Sequence, residues 1–407
     1  MVVRSPEPRI LYLLHRYPPA FGGGTFTLSL VRNSIRESGF TSIVLTGNRG
    51  IKGGRQPGVF RLPSPGGEAF PRVDAYAFTA MAVPALVALR RRYDLIHTMG
   101  NGHYVYLSIL LGRLLGKPVI VSSVLNRADD PSGIVTERLG RLKNTIFSRA
   151  AAHVCLSGLQ LESFHQAGYP AEAIHFIPNG IDPARFRPCE SPGEKAALRE
   201  RLGLPRDEFL AVSVGAIIER KGIDLLVDAW IRYRRAGPRG TLVLLGPDRA
   251  DEPGGYVDAG FVRSIRTELS RAGVSESVVF AGRVDNVEDY LRSADVFMLL
   301  SREEGFPLAL LEAMASGLPF VVWDLPEYRG YDLKDGFHGF LIPPFDVPLA
   351  ADRLERLSAS PDSNRTMGRQ AYLVGSEFTL GRNAAAHIAL YRDVAAGRGR
   401  SGGRGVP

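Results

Sequence analysis

At 407 residues the chain is longer than one hydrophobic core usually supports, so we expect two domains. A hydrophobic content of 45% excludes a disordered chain, and no run of about 18 to 20 apolar residues predicts a membrane span. The net charge of +8 fits anionic ligands such as nucleotide phosphates or acidic lipid, or a generally arginine-rich surface. Two cysteines, Cys155 and Cys189, are too few for a disulfide framework. These features predict a cytoplasmic protein, with at most a peripheral contact at the inner face of the membrane.

Short apolar runs with strand character alternate with helical patterns through the first half of the chain. The predicted strands are 9–14, 41–47, 58–63, 94–99, 118–123, 153–157 and 174–178. Helical patterns separate most of them, at 25–38, 103–115, 134–149 and 158–167. Several strands are continuous apolar runs, which is typical of strands covered by helices on both faces.

The second half repeats this alternation. Its predicted strands are 209–217, 241–246, 277–282, 296–301, 319–324 and 339–343. Its predicted helices are 222–235, 258–272, 287–293, 307–316 and 346–358. The pattern therefore predicts the α/β class, with two Rossmann-like domains, each a doubly wound parallel sheet, that face a cleft.

A stretch rich in proline and charge, 183–207, marks the crossing between the domains. We predict a first domain at 1–183 for the acceptor and a second at 184–380 for the donor. A C-terminal helix at 381–396 is expected to return to the first domain. The Gly/Arg-rich tail 397–407 is expected to be disordered.

Three segments that follow predicted strands carry residues suited to an anionic ligand. Gly22 and Gly23 precede a helix, where the backbone can approach a ligand closely. Neither the Walker spacing nor the dinucleotide spacing of glycines is present there. Arg220 and Lys221 lie at the start of another helix, where two cations oppose the helix dipole unless an anion lies between them. A phosphate site is favoured over a solvated pair.

The third segment, "SREEGFPLALLEAMASGLPFVV" at 301–322, contains two carboxylates seven positions apart before and within an apolar helix. Glu304 is expected at the carboxyl edge of the sheet. Glu312 lies among "LALL" and "AMA", where an unpaired charge is costly and needs a partner. Paired ligand hydroxyls, such as those of a ribose, suit that carboxylate.

Together these segments resemble the retaining glycosyltransferases of the GT-B fold, the large glycogen-synthase-like family also described as glycosyl transferases group 1. "EGFPLALLE" followed by "AMASGLPFV" resembles the family's paired-glutamate signature. The resemblance extends over about residues 9 to 395, through "YPPAFGGGTFTLSL", "HFIPNGIDPARFRP", "VGAIIERKGIDLLVDA", "FAGRVDNVEDYLRSADVFMLLS" and "GFLIPPFD".

The resemblance implies roles for individual residues. Lys221, with Arg220, would neutralise the departing diphosphate, and Glu304 would lie beside the transferred sugar. Glu312 would bind the ribose hydroxyls. The donor-binding set implied is Gly22, Gly23, Gly215, Val284, Asp285, Gly305, Phe306, Pro307, Leu308 and Glu312. No metal and no further cofactor is implied, and no Asp-x-Asp occurs in the sequence.

Two positions depart from the family pattern. Ala216 stands where an arginine often follows the glycine, and Val124 stands where a histidine often faces the sugar. His103 or Asn126 could fill the second place on the acceptor or sugar side, although a histidine at 103 is more typical of a helix start. These departures leave a catalytically inactive protein that still binds nucleotide sugars as the alternative interpretation.

The implied reaction moves a sugar from a nucleotide-diphosphate sugar to a saccharide, lipid-linked or small-molecule acceptor. A UDP-sugar is the first candidate and GDP-mannose the second. Bacterial polysaccharide or glycoconjugate synthesis is the expected setting, with no nucleic-acid partner and with the oligomeric state left open. Apolar helix 78–92 ends in three arginines and 134–149 carries four basic residues, which suits contact with anionic lipid. Two packed helices with solvated ends are the competing interpretation.

Overall fold

The computed structural model describes residues 7–17, 23–47, 56–63, 71–248 and 257–397. The chain divides into two compact units. Unit 1 comprises residues 1–180 and 380–407, and unit 2 comprises residues 181–379. All but the first residue of the predicted tail lies outside the described residues.

Unit 1 contains a seven-stranded parallel sheet in the order β3-β2-β1-β4-β5-β6-β7. Its strands are β1 Ile10–Leu14, β2 Ser42–Gly47, β3 Val59–Leu62, β4 Leu95–Met99, β5 Val119–Ser122, β6 Ala152–Cys155 and β7 Ile174–Phe176. Its helices are α1 Gly23–Glu37, α2 Pro71–Leu89, α3 His103–Leu115, α4 Pro131–Ile134, α5 Gly140–Phe147, α6 Gly158–Gln166 and α14 Leu380–Ala395. The central strands are buried along their whole length, which explains their continuous apolar runs.

Helix α14 packs on unit 1 through polar contacts in the middle of the sheet. The Tyr391 hydroxyl lies 2.8 Å from His97 Nδ1 and 3.1 Å from the Tyr12 hydroxyl. His97 Nε2 lies 2.8 Å from Ser122 Oγ. All four side chains are buried, so the hydroxyls and the imidazole satisfy one another without a formal charge.

The single helix predicted at 134–149 is wrong, because the chain turns between α4 and α5. Leu139 has a positive φ of 62°, which interrupts helical geometry. A Cβ placed on Gly140 would lie 2.4 Å from the Val135 carbonyl oxygen, so the backbone comes too close there for any other residue. The apolar spacing is shared by both helices, which is why the sequence pattern did not separate them.

Unit 2 contains a six-stranded parallel sheet in the order β10-β9-β8-β11-β12-β13. Its strands are β8 Phe209–Val214, β9 Gly240–Leu245, β10 Val278–Gly282, β11 Val296–Leu299, β12 Phe320–Trp323 and β13 Phe340–Ile342. Its helices are α7 Pro192–Arg201, α8 Ile223–Arg235, α9 Ala259–Ala272, α10 Val287–Ser293, α11 Leu308–Ala315, α12 Val347–Ala359 and α13 Pro361–Gly375. The predicted α/β class with two parallel sheets is confirmed.

A cluster of charged side chains joins helix α7 to the sheet of unit 2. Asp295, just before β11, accepts hydrogen bonds from Lys195 at 2.6 Å and Arg199 at 2.7 Å. The Leu210 amide donates to the same carboxylate at 2.8 Å. Burial would raise the pKa of Asp295, but the charges of Lys195 and Arg199 outweigh it and lower that pKa. The carboxylate therefore stays ionised between its two cations.

Candidate functional site

The order of strands in unit 2 reverses between β8 and β11, and ligands of open α/β sheets bind outside the carboxyl ends of strands at such a point. The chain leaves β8 through Gly215, turns at Glu219–Lys221 and enters α8 through Gly222. A Cβ on Gly222, whose φ is 61°, would lie 1.9 Å from the Leu300 carbonyl oxygen. This close approach brings the 219–222 turn directly onto the end of β11.

The turn places the predicted Lys221 beside the predicted Glu304. Lys221 Nζ donates to Glu304 Oε1 at 2.7 Å, and their side chains are only 17% and 5% exposed. The aliphatic stem of Lys221 lies along Gly215, where a Cβ would be 3.5 Å from its Cε. A lysine ammonium has three N–H donors. One N–H of Lys221 donates to Glu304, and the others can donate to an anion.

A second pair of contacts joins the same two segments. Arg220 donates to the Glu303 carbonyl at 2.9 Å, and the Arg302 amide donates to the Arg220 carbonyl at 2.9 Å. The Arg302 guanidinium binds both oxygens of Asp224, in the first turn of α8, at 2.8 and 2.6 Å. Burial opposes ionisation of Asp224, but Arg302 outweighs it and lowers the pKa of the carboxyl. The sequence interpretation missed Arg302, because its partner is 78 positions away.

The predicted loop from Gly305 to Pro307 is buried and leads into α11. Pro307 precedes the helix without a side-chain cap, and the Leu308 amide donates to the Phe306 carbonyl at 2.9 Å. The Phe306 ring contacts Tyr331 edge-on, with centroids 5.3 Å apart.

Three buried hydroxyls accompany Glu304. Among the described residues, no hydrogen-bond partner is present for Ser301 Oγ, the Tyr328 hydroxyl or the Tyr331 hydroxyl. Burial raises the pKa of both tyrosines well above the ordinary value, and the charge of Glu304 adds to both shifts. Hydroxyl donors that have no partner among the described residues therefore lie near Glu304.

The predicted Glu312 is half-buried and lies in an apolar helix. Burial raises its pKa to about 8, Arg185 partly opposes this shift, and Glu288 adds to it. The carboxyl is therefore largely protonated at neutral pH. Ribose hydroxyls both donate and accept hydrogen bonds, so a pair of them can bind this carboxyl in either protonation state.

Arg185 links this carboxyl to the predicted base-binding turn of Val284 and Asp285. Its guanidinium donates to the Asp285 carbonyl at 3.0 Å and to Glu288 at 2.7 Å. Arg185 was missed, since its carboxylate partner lies 103 positions further along the chain. The turn between β10 and α10 is thus held by a residue from the start of unit 2.

Three of the four site residues predicted in unit 1 lie among the described residues. Gly22 lies outside the described residues, and Gly23 is the first residue of α1. His103 is exposed at the start of α3 and stacks on Tyr76, with centroids 4.8 Å apart. Asn126 is 1% exposed, and its Oδ1 accepts a hydrogen bond from Ser157.

Unit 1 also contains a pair that the sequence interpretation missed. His15, directly after β1, lies 3.0 Å from the fully buried carboxylate of Asp74. As for metals, no group of three or more His, Cys, Asp or Glu side chains that could hold an ion occurs within the described ranges. Independence of the reaction from metal stays a prediction.

Two family models match the chain one after the other. The glycosyl transferase 4-like domain matches residues 21–180, and the glycosyl transferases group 1 domain matches residues 194–374. The two matches correspond to the two parallel sheets. The chain belongs to the group 1 glycosyltransferases with the GT-B fold.

Individual relatives are glycosyltransferases too. The chain is 24% identical to alpha-D-kanosaminyltransferase of Streptomyces kanamyceticus, over 73% of this chain and 76% of that protein. It is 29% identical to D-inositol 3-phosphate glycosyltransferase of Segniliparus rotundus, over 73% of this chain and 66% of that protein. The crystal structure of Anabaena HepE with UDP-glucose has a TM-score of 0.75 at 20% identity, covering 95% of this chain and all of that one. At this identity the structural likeness concerns the fold.

Proposed function

We propose that this protein transfers a sugar from a nucleotide-diphosphate sugar to an acceptor hydroxyl, with retention of anomeric configuration and without a metal. The observation that carries the proposal is the Lys221–Glu304 pair at the strand-order reversal of unit 2, 2.7 Å apart and largely shielded from water. A cation held there stabilises charge on a departing diphosphate more strongly than it would in bulk water.

In the proposed reaction the bond between the anomeric carbon and the diphosphate oxygen breaks, and its electron pair stays with the diphosphate. The acceptor oxygen bonds to the same carbon and its proton is released. Lys221, assisted by Arg220, neutralises the leaving group. Glu304 keeps Lys221 in place and accepts hydrogen bonds from the sugar. In this proposal, Lys221 and Arg220 supply the positive charge that neutralises the diphosphate.

For the rest of the donor, Glu312 binds the ribose hydroxyls, and the turn of Val284 and Asp285, held by Arg185, contacts the base. Gly22 and Gly23 stay predicted donor-binding residues. A UDP-sugar is the first candidate donor, supported by the complex of HepE with UDP-glucose, and GDP-mannose is the second.

The acceptor is proposed to be a saccharide, a lipid-linked saccharide or a small molecule in bacterial polysaccharide or glycoconjugate synthesis. The relatives support this range. One is named for transfer of kanosamine, one for D-inositol 3-phosphate, and one is a galactosyltransferase named for a diphosphoundecaprenol acceptor. Of the two unit 1 residues predicted on the acceptor or sugar side, His103 is exposed and Asn126 is buried, so His103 is the one proposed to meet an acceptor.

Binding is tested by calorimetry with UDP, GDP, ADP and their sugar conjugates. Lys221→Met should weaken nucleotide diphosphate binding and lower turnover by about 100- to 1,000-fold, the usual effect of removing one such stabilising group. Lys334→Met is the matched control in the same unit, since Lys334 is 64% exposed and pairs only loosely with Asp332, at 3.8 Å. Equal affinity in both variants would overturn the assignment of Lys221.

Turnover is followed by NMR of the anomeric proton of the product, with and without a chelator. Retention without metal is expected. Inversion, or loss of activity on chelation, would contradict the proposed chemistry. Tight nucleotide-sugar binding without any transfer or hydrolysis, across a panel of acceptors, would instead favour the inactive binding protein to which Ala216 and Val124 point.

A further inference from the structure

The solvent-facing side of α3 is apolar. Its exposed residues are at positions 103, 107, 110, 113 and 114, and all of them except Arg113 form one stripe along the helix. Leu107, Leu110 and Leu114 in this stripe are 38%, 36% and 83% exposed. A surface helix normally turns charged and polar residues outward. Helix α3 therefore exposes to water the kind of residue that other helices bury.

Helix α2 has the same property, and its outward stripe consists of Val73, Tyr76, Ala80, Pro84 and Val87. Val73 is 54% exposed and Tyr76 is 59% exposed. The two stripes are joined, because the Tyr76 ring stacks on His103 with an interplanar angle of 13°. We call the two stripes together the α2–α3 face.

The charged side chains at the C-terminal ends of α2 and α3 are mainly basic, whereas Glu137 near the start of α3 is a carboxylate that contacts Lys143 and Asn101. Helix α3 contains no acidic residue, and the only acidic residue of α2, Asp74, is fully buried against His15. Both helices lie between parallel strands and run in the same direction, so their basic C-terminal ends lie at one edge of the sheet. These ends carry Arg90, Arg91, Arg92, Arg113 and Lys117. The nearby Asp94 pairs with Arg9 at 2.8 Å and lies 4.0 Å from Lys117, whose ammonium also donates to the Tyr93 carbonyl at 2.7 Å.

Helix α5, which packs on α3, extends the pattern. Leu139 and Leu142 are 66% and 57% exposed, and Arg138 and Arg141 alternate with them in the sequence. Exposed leucines bordered by arginines are typical of surfaces that lie in the headgroup region of a bilayer. In the described part of the chain, no helix is long and apolar enough to cross one.

We propose that the α2–α3 face rests on an anionic bilayer, with its leucines and Tyr76 entering the interface and the arginines at its edge binding lipid phosphates. A second copy of the chain fits less well, because neither α2 nor α3 has an exposed carboxylate that could neutralise the arginines of a copy. Lipid supplies both the apolar phase and the anions. All residues of the face belong to unit 1, so the inference does not depend on the donor site of unit 2.

The test is sedimentation of the full chain with phosphatidylglycerol-containing vesicles and with pure phosphatidylcholine vesicles, at about 0.1 M salt, where charges more than about 10 Å apart are screened. We expect partition to the anionic vesicles only. Leu107→Gln, Leu110→Gln and Leu114→Gln together should lower the partition coefficient at least about tenfold. Arg90→Gln, Arg91→Gln and Arg92→Gln together should lower it about a hundredfold, since each basic residue contributes roughly fivefold.

Leu373→Gln in unit 2 is the control for the leucine variant, because Leu373 is 59% exposed but lies outside the face. It should leave partition unchanged. Thermal unfolding and nucleotide binding of each variant, measured without vesicles, check that folding and the donor site are intact. No partition of the unaltered chain to anionic vesicles, or equal partition of the leucine variant, would overturn the proposal. A dimer that the leucine substitutions abolish, without vesicle binding, would overturn it and assign the face to a second copy.

Discussion

The two sheets share one architecture but satisfy their buried polar groups in different ways. In unit 1 the buried carboxylate of Asp130 accepts from backbone amides and from the Ser163 hydroxyl, and His97 contacts Tyr391 and Ser122. In unit 2 the carboxylates are paired with cations: Glu304 with Lys221, Asp248 with Arg266, and Asp295 with Lys195 and Arg199. In these examples the buried groups of unit 1 have neutral partners and the carboxylates of unit 2 have Lys or Arg partners, whereas Asp74 of unit 1 lies beside His15.

This difference suits what each sheet is expected to do. A diphosphate needs a cation that is already held in position and shielded from solvent ions, and the Lys221–Glu304 pair after β8 and β11 provides one. Unit 1 has no comparable set of paired cations among its described buried residues, and its unusual feature is an apolar face instead. The consequence is that the units should respond differently to substitution and to pH.

The largest effect is expected from breaking the ionic cluster of α7. Asp295→Asn leaves Arg199, whose side chain is 6% exposed, without its carboxylate. Removal of one partner of a buried pair costs about 3 to 5 kcal/mol. The free energy of unfolding is measured in urea, with Asp228→Asn as control. The exposed pair of Asp228 with Arg232 should change stability by only about 0.5 kcal/mol. Equal effects would remove the contrast between buried and surface pairs.

The corresponding break in unit 1 is Tyr391→Phe, which removes the hydroxyl shared by His97 and Tyr12. Two buried polar groups lose a partner, which should cost about 1 to 3 kcal/mol. Because no charge is involved, the loss should not depend on salt. Tyr76→Phe, at an exposed site in the same unit, should leave the unfolding free energy unchanged. A salt-dependent loss in Tyr391→Phe would contradict the description of unit 1 as neutrally held.

Acid should destabilise unit 1 in a window set by its buried histidines. Burial lowers the pKa of His153 to about 3 and of His387 to about 4, and it lowers the pKa of His97 well below 6.5. These folded-state values lie below the unfolded value near 6.5. The contribution of these neutral histidines to the free energy of unfolding is therefore complete above about pH 6.5. It is lost as the pH falls towards 4 and below.

His153→Phe tests this window. The ring lies about 5 Å from the rings of Phe147, Phe164 and Tyr169, and neither of its nitrogens has a hydrogen-bond partner among the described residues. The variant should gain more stability at pH 5 than at pH 8, as measured by urea midpoints. A gain that does not change with pH would show that His153 does not contribute to the acid response.

Unit 2 should respond in the opposite direction at Glu312. Its folded-state pKa of about 8 lies above the ordinary 4.5, so its stabilising contribution is present below about pH 4.5 and is lost as pH rises to about 8. Glu312→Gln mimics the protonated carboxyl. The variant should gain stability relative to the unaltered protein across that range, whereas Glu276→Gln on the exposed turn before β10 should show no such trend. A flat difference between pH 4.5 and 8 would contradict the raised pKa.

The smallest effect is expected at the unpaired tyrosines near Glu304. Tyr328→Phe removes a buried hydroxyl that has no partner among the described residues, so stability should stay equal or rise by up to about 1 kcal/mol. Tyr93→Phe in unit 1 is the matched control, because its hydroxyl donates to the Leu86 carbonyl at 2.9 Å and its loss should be destabilising. Destabilisation of the Tyr328 variant as well would mean that this hydroxyl has a partner in solution.

The sequence was sufficient for the local features of this fold. All thirteen predicted strands are present, since continuous apolar runs bounded by turn residues have few other folded forms. The break between α4 and α5 was not predictable, because it depends on a left-handed Leu139 and on a close backbone approach at Gly140. The apolar pattern of α2 and α3 predicted helices but could not tell which side would be exposed.

The site was predictable where one motif carries several residues. Glu304 and Gly305 to Leu308 lie together because they are consecutive, and Lys221 was found because it starts a helix after a strand. Arg185 and Arg302 were missed, since charges that pair across 103 and 78 positions leave no local pattern. The roles of all these residues in a reaction stay predictions until the binding experiments are done.

The division of unit 1 into two stretches of chain affects how the protein is made. Helix α14 supplies Tyr391 to the middle of a sheet whose strands all lie before residue 177. On the ribosome, the whole of unit 2 is synthesised between these parts, so unit 2 can fold while the first sheet still lacks its last helix. During that interval His97 and Tyr12 have no partner from α14. The sheet of unit 1 is thus complete only after the last helix has been synthesised.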